Sequence, residues 1–517
     1  MWHLVVLPII LPMLTALLII LPPIHRRATH RRWLSMVSAV IQFVITIALL
    51  LQVQQLGILH YAVGNWQAPF GIVLVADTLS VTMVCLTSFL AAGAIIYGSA
   101  GEDEKGSFFH PLFQFLVMGI NGAFLTGDLF NMFVFFEVLL IASYALLVHA
   151  GGKNKTKAAL HYVIINLTGS AVFLIALAVL YGTLGTLNMA DMIAKVANVA
   201  PEDLMLVKTG GLLLMIVFAL KAAILPLQFW LPAAYSSASP SVAALFAVMT
   251  KIGVYGLLRV YSTIFGEHAG PLAGIASAWL WPVGLATIVI GAVGVVSSQD
   301  FRRVVAHLVL ISVGTLVALV AVQTPASASA VVFYSVHSTL VCAALFLIAD
   351  LVANQRGKVG DRLVPGRRIA QPALLGTLFL IAALSVTGIP PFSGFIGKLM
   401  ILQAVEQPSQ KLMLWGVALS CTLLVIIGLS RAGSMLFWRV SGSDSDGEHA
   451  KPLQVVAVTW LLLSSVLLVV FAGPLTQLSK NAASQLYDLN SLTERVLGSP
   501  VSNSLTEAPL KNIKGDD

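Results

Sequence analysis

The residues of this 517-residue chain that could do chemistry are ionisable groups set inside apolar runs. Lys221 lies in A-L-K-A-A-I-L-P-L-Q-F-W-L-P and Lys251 in V-M-T-K-I-G-V-Y-G-L-L-R, with Pro226, Pro232 and Pro240 between them. Glu137 sits in L-F-N-M-F-V-F-F-E-V-L-L, His337 in F-Y-S-V-H-S-T-L-V-C, and Lys398 follows Pro390 and Pro391 in G-I-P-P-F-S-G-F-I-G-K. A charge in hydrocarbon costs at least about 2.5–3.5 kcal/mol, so such a group faces a bundle interior or a water-filled path, where it pairs or carries ions. Proline breaks helical hydrogen bonds. At membrane depth this is tolerated only where protein or water re-satisfies the freed carbonyls. Deep lysines beside broken helices have the chemistry of an ion-conducting core.

Each group has a plain reading beside the functional one. A carboxylate at Glu137 can neutralise, pair with a cation or carry protons. Tyr144, seven residues on, shares its helix face. Lys221 is its natural partner, and a lysine whose carboxylate partner can move away changes protonation with that movement, so the pair reads as a proton switch. The plain alternative is a structural ion pair. Lys251 could snorkel, and Lys398 could cap a broken half-helix. His337 suits proton relay near neutral pH but could be a satisfied core group. His307, about one turn into its segment, is either an access group or interfacial. Arg259 is expected to snorkel at the outer end and is given no role. Asp77 and Asp128 precede apolar runs and read as helix N-caps. Asp300 with Arg302 and Arg303 reads as an interfacial charge cluster. No nucleotide loop, haem pair, thiolate cluster or hydrolase nucleophile is visible, so no cofactor and no metal are expected. What is left is proton and cation movement.

The elements that must position these groups follow from composition. The chain is 58% apolar and 10% charged, against roughly 25% charged in a soluble domain. Apolar runs recur along the whole length, which predicts a polytopic, all-α membrane protein. The net charge of +7 collects in loops, as setting topology requires, and does not point to nucleic acid. Cys85, Cys342 and Cys421 are scattered and read as packing residues. About fourteen spans are expected, at roughly 4–24, 33–53, 72–98, 108–126, 129–149, 158–182, 205–231, 240–264, 273–297, 302–322, 328–353, 371–403, 410–438 and 453–475. Lys and Arg concentrate in alternate loops, such as Arg26–Arg32, Lys153–Lys157 and 354–370, which puts those loops in the cytoplasm and both termini outside. The 99–107 loop dissents, with Glu102, Asp103 and Glu104 against Lys105. The first run carries its positive charge behind it and reads as an uncleaved span. Segment 186–200 is expected to be a short interfacial helix, and the polar tail 480–517 to lie on the surface or be disordered.

Two Gly/Pro-interrupted segments, each with a lysine and five segments apart, suggest paired inverted repeats of five spans. The stretches T-G-D-L-F-N-M-F-V-F-F-E-V-L-L-I-A-S-Y (126–144), A-L-K-A-A-I-L-P-L-Q-F-W-L-P-A-A-Y (219–235), M-T-K-I-G-V-Y-G-L-L-R (249–259) and G-I-P-P-F-S-G-F-I-G-K (388–398) resemble the antiporter-like subunit family. That family includes the D subunit of Mrp-type multisubunit Na+/H+ antiporters and the proton-pumping membrane subunits of complex I and membrane-bound hydrogenases. The resemblance covers about residues 70–440 and leans toward the Mrp D subunit. It implies N-terminal spans in 1–107, a first repeat in 108–264, a second in 273–438, a last span at 453–475 and discontinuous seventh and twelfth spans. It implies that Glu137, Lys221, Lys251 and Lys398 are the essential mid-membrane charges, with His337 the eleventh-span polar group. Two departures stand out. Leu340-Val341-Cys342 replaces a lysine that some relatives carry after the histidine, and Ser312 lies where pump-type relatives often carry a histidine. The implied function is a proton-translocating subunit of a cation/H+ antiporter in the bacterial plasma membrane. Its partners would be the other antiporter subunits and the lipid bilayer, and its transported ions H+ and Na+. The alternative is a pumping subunit of a complex I-like dehydrogenase or hydrogenase.

Overall fold

Apolar segments without a polar face can only pack on one another or meet lipid, and a helix is the form that satisfies its own backbone there. In the computed structural model, which describes residues 2–441 and 448–498, these segments are helices throughout. The order is α1 (Leu7–Ile20), α2 (Pro22–His25), α3 (Ala28–Leu56), strands β1 (Leu59–Ala62) and β2 (Val73–Ala76), α4 (Thr78–Gly98), α5 (Phe109–Leu125), α6 (Leu129–Leu147), α7 (Lys153–Leu184), α8 (Met189–Ala197) and α9 (Leu204–Ala222). There follow α10 (Trp230–Ser237), α11 (Pro240–Thr263), α12 (Ser277–Ser297), α13 (Phe301–Val322), α14 (Pro325–Gln355), α15 (Pro372–Thr387), α16 (Ser393–Gln403), α17 (Pro408–Gly433), α18 (Pro452–Val470), α19 (Ala472–Tyr487) and α20 (Leu489–Leu497). Eleven helices among the described residues are long and apolar enough to cross a membrane; Leu7–Ile20, Phe109–Leu125 and Pro372–Thr387 are shorter apolar helices.

Burial separates the centre from the rim. The apolar window of α11 is wholly buried and that of α14 is 94% buried, whereas α3 and α17 are 33% and 28% buried. α11 and α14 are therefore the axis, and they carry Lys251 and His337. A helix that is apolar on every side belongs inside a bundle. Close approach does the rest. A Cβ at Gly253 of α11 would fall 2.4 Å from the backbone N of Ala222 and 2.8 Å from the Phe218 carbonyl on α9.

Three expectations are corrected. The 54–71 connection opens into a β-hairpin, with Leu59 opposite Ala76, so α4 begins at Thr78 rather than near 72. Residues 480–497 of the polar tail are helical, with Leu486, Leu492 and Val496 buried; their apolar residues recur at helical spacing and cover the bundle. The rest of that tail, 499–517, lies outside the described residues. Arg259 does not snorkel. Its side chain is buried and paired with Asp77, and its Nε and Nη2 donate to the Tyr255 hydroxyl at 3.3 and 3.0 Å. Asp77 is also the expected N-cap, accepting from the Ser80 amide at 2.8 Å, as Asp128 does from Asn131 at 2.8 Å. Removing one partner of a buried pair strands the other, so Arg259→Met should lower stability by about 3–5 kcal/mol. Thermal unfolding of the purified protein should show this, with most of the loss recovered in Asp77→Asn/Arg259→Met.

The acidic 99–107 loop also has an explanation. Asp103 is buried against Arg32, whose Nε and Nη2 donate to it at 2.8 Å each, and His110 lies at 3.3 Å. Burial pushes the Asp103 carboxyl up, but hydrogen bonds from His110 and Arg32 and the charge of Arg32 outweigh it and hold it down at about 2. Glu102 accepts from the Ser241 amide at 3.2 Å and hydroxyl at 2.7 Å in the first turn of α11, the end where a helix favours negative charge. Burial still pushes the Glu102 carboxyl up. Both acids are spent on inter-helix contacts, so counting them as free loop charge overstates the dissent.

Candidate functional site

Glu137 and Lys221 meet through a third helix. Glu137 projects from α6 and accepts a hydrogen bond from Ser170 Oγ on α7. Lys221, in the last turn of α9, is 5% exposed and donates from Nζ to Asn166 Oδ1, also on α7, at 3.3 Å. Asn166 and Ser170 are four residues apart and share one helix face. The two charges form no ion pair within 4.0 Å; an amide and a hydroxyl stand between them. The Lys221 ammonium also lies 5.7 Å over the Phe136 ring. Tyr144 points a buried hydroxyl without a hydrogen-bond partner into the same region, its ring edge-on to Tyr162.

The chain breaks directly after Lys221. Ala223 takes a left-handed conformation (φ +60°) and closes α9. The cis Leu225–Pro226 bond follows before α10 resumes at Trp230. Trp230 Nε1 donates at 3.2 Å to the Leu220 carbonyl, which also accepts from the Ala223 amide at 3.0 Å, and the Leu225 amide donates to Thr287 Oγ1 at 3.0 Å. A break at membrane depth is thus satisfied by neighbouring protein.

Lys251 occupies the middle of α11 at 1% exposure. Its Nζ donates to Ser312 Oγ on α13 at 2.9 Å. Ser312, which stands at one of the two sequence departures, is therefore the partner of this lysine. No carboxylate pairs with Lys251 among the described residues.

His337 and Lys398 gather around the second break. The chain interrupts α15 at Gly388, passes the cis Pro390–Pro391 bond and resumes in α16. Lys398 is on α16, yet its ammonium reaches back across the break to the Thr387 carbonyl at 2.8 Å and to Thr422 Oγ1 on α17 at 2.8 Å. A cation there sits at the negative end of the α15 half-helix. The capping contact of the plain reading is thus present. So is a cavity of about 260 Å³ whose lining is mostly apolar, among it Ile288, Leu308, Phe395 and Leu419, with Lys398, Thr387 and Thr422 on its polar side. At roughly 30 Å³ per water it has the volume of several waters, so the same ammonium caps a helix and borders an open space. His337 is 1% exposed, and its Nδ1 lies 2.9 Å from Ser393 Oγ on α16. His307 is apart from all of these, its Nδ1 shared between Ser298 Oγ at 3.2 Å and the Arg303 carbonyl at 2.8 Å.

A family profile described as "NADH:quinone oxidoreductase/Mrp antiporter, TM" matches residues 126–426, which hold every one of these groups. The chain belongs to this family. It is 39% identical to the D subunit of a probable K(+)/H(+) antiporter of Rhizobium meliloti, over 97% of this chain and 99% of that protein. It is 37% identical to the D subunit of the Na(+)/H(+) antiporter of Bacillus subtilis, over 89% and 92%. In three dimensions it is similar to a chain of the Mrp complex from Dietzia sp., at 27% identity and a TM-score of 0.85, covering 96% of this chain and 99% of the other.

The family motifs mark the charged groups and, Ser393 apart, leave out what holds them. Asn166, Ser170, Ser312, Ser393 and Thr422 were not among the expected site residues, although each touches one that was. Their signal was weak, because single Ser, Thr or Asn residues in membrane helices commonly bond their own backbone. Small residues give a firmer handle. The contacts at Gly253 are with backbone, which cannot yield, so Gly253→Ala should force α11 from α9 between Lys221 and Lys251. Cation/proton exchange by the assembled complex should fall by tenfold or more, about the effect of a 1 Å misplacement, while subunit incorporation persists on native gels.

Proposed function

We propose that this chain is the D-type subunit of a multisubunit monovalent-cation/H+ antiporter and that it carries protons through the middle of the membrane. The observation that carries this reading is the placement of Lys221, Lys251 and Lys398. Lys221 and Lys251 are buried and Lys398 is half-buried, and each ammonium is held by a neutral hydroxyl, amide or carbonyl rather than locked to a carboxylate. A lysine held this way can release and regain a proton as its surroundings move. Glu137 and Lys221 form the switch of the first half, linked through Ser170 and Asn166. Lys251 and His337 pass protons laterally on the two central helices, and Lys398 ends the path at its cavity. Ser338 and Thr339, beside His337, add buried hydroxyls without hydrogen-bond partners to this route. Tyr144 supports the first cluster, Pro226, Pro390 and Pro391 shape the breaks, and His307 serves at most as an access group.

The eleven long helices and three shorter ones together support fourteen spans. The breaks α9/α10 and α15/α16 occupy corresponding places in two series of five, α5–α11 and α12–α17, with α8 outside the count. In each the lysine ammonium sits by the end of the first half-helix. This supports the two inverted repeats. The protein would then lie in a bacterial plasma membrane with both termini outside, working as a secondary transporter driven by the proton gradient. Relatives are named for K+ and for Na+, so the cation is set by assay. Proton-gradient-driven uptake of labelled Na+ and K+ by vesicles holding the complete assembly should show exchange. Absence of both, or co-purification with flavin or iron–sulfur subunits, would overturn this reading in favour of a redox-driven pump.

A further inference from the structure

Ser393, Ser465 and Ser385 come from three different helices and meet where no solvent reaches. Ser393 Oγ lies 2.8 Å from Ser465 Oγ on α18, which lies 2.5 Å from Ser385 Oγ on α15, and all three are fully buried. His337 Nδ1 joins the chain at Ser393. α18 lies beyond the matched region 126–426, and nothing in its sequence marks it as part of a proton path.

A membrane-helix serine usually satisfies itself on a carbonyl of its own helix. Ser464 does this, donating to the Leu461 carbonyl at 2.5 Å. Its neighbour Ser465 instead bonds two hydroxyls on other helices. Each hydroxyl can donate one proton and accept two, so the three can form a continuous chain with His337, and such chains strengthen cooperatively. α18 is fixed for this contact. Trp460 Nε1 donates to the Phe89 carbonyl on α4 at 3.0 Å. A Cβ at Gly93 of α4 would meet the Leu461 side chain at 2.8 Å, so the two helices pack closely here. On the other side of the imidazole, a Cβ built on Gly394 would fall 3.1 Å from His337 Nε2. That nitrogen therefore faces α16 one turn before Lys398. The titratable groups facing His337 are Lys398 from α16 and Tyr334 on its own helix.

We propose that Ser465 is a positioning residue for His337, anchoring the Nδ1 side of the ring through Ser393, with Ser385 bonded behind it, so that Nε2 is the nitrogen that trades protons with the Lys398 side. This rests on the relay reading above. The test uses the complete assembly in vesicles, with proton-gradient-driven cation exchange measured across a range of external pH. Ser465→Ala should slow exchange by about threefold to tenfold, as loss of one hydrogen bond in the rate-limiting geometry would, and should displace the pH profile. Ser465→Thr, which keeps the hydroxyl, should restore both, and Ser464→Ala should change neither. If Ser465→Ala fails to assemble, Ser465→Cys, with a weaker donor of similar size, carries the same comparison. An unchanged pH profile in the Ala variant (or in the Cys variant where that one is used), or equal defects in the Ser464 and Ser465 variants, overturns the anchor. His337→Ala separates the two levels: normal exchange there sinks the relay itself, whereas a dead His337→Ala beside a normal Ser465→Ala sinks only the anchoring role.

Discussion

Vesicles carrying Lys221→Ala or Glu137→Ala in an otherwise complete assembly should lose cation/proton exchange by at least about a hundredfold, the scale of a lost proton-transfer group. The argument is geometric. Lys221 is buried with Asn166 and the Phe136 ring as its contacts, and Glu137 is bound to Ser170. Both partners come from one face of α7, so a small rotation of that helix alters both contacts together. Glu137→Gln separates charge from shape. The amide can still bond Ser170 but cannot carry a proton, so it too should be inactive. Native gels or affinity capture of partner subunits should show intact assembly in all three variants. Exchange at the normal rate in Glu137→Gln would mean that this carboxyl has no part in the path.

Lys251 gives the second large effect. It lies midway along the most enclosed helix, and its ammonium rests on Ser312. Lys251→Ala should lower proton-driven uptake of labelled Na+ or K+ by about a hundredfold. Lys251→Arg is the sharper test, because a guanidinium keeps the positive charge yet does not release its proton. If the role of Lys251 is relay, arginine should be as inactive as alanine. If the role is only to place a positive charge at the centre, arginine should retain most of the exchange. Ser312→Ala removes a neutral hydrogen-bond partner and should cost only about threefold to tenfold.

Arg259 shows where reading residues one at a time goes astray. It stands eight residues beyond Lys251 near the end of an apolar helix, and snorkelling is the usual fate of such a side chain. Its true partner, Asp77, is far away in sequence, and the N-cap that its sequence context predicts is only half its role. The acidic 99–107 loop behaves the same way. Glu102 and Asp103 bond Ser241 and Arg32, contacts that exist only once α11 and α3 are packed beside it.

Hydropathy and charge in the chain were enough to identify a helical membrane protein, its deep ionisable groups and the two interrupted helices. The cost of removing a peptide group or a charge from water is a property of each segment, and it can be read without knowing its neighbours. Folding alone decided which neutral groups hold those charges: Asn166 and Ser170 between Lys221 and Glu137, Ser312 on Lys251, Thr387 and Thr422 on Lys398, and the three-serine chain on His337. Such partners come from other helices, and a hydroxyl or amide that bonds its own backbone, as Asn166, Ser312 and Thr422 do, carries no mark of whether it will also bond a neighbour's side chain. That choice follows from how closely helices approach, which glycines such as Gly253 and Gly93 permit and which packing completes.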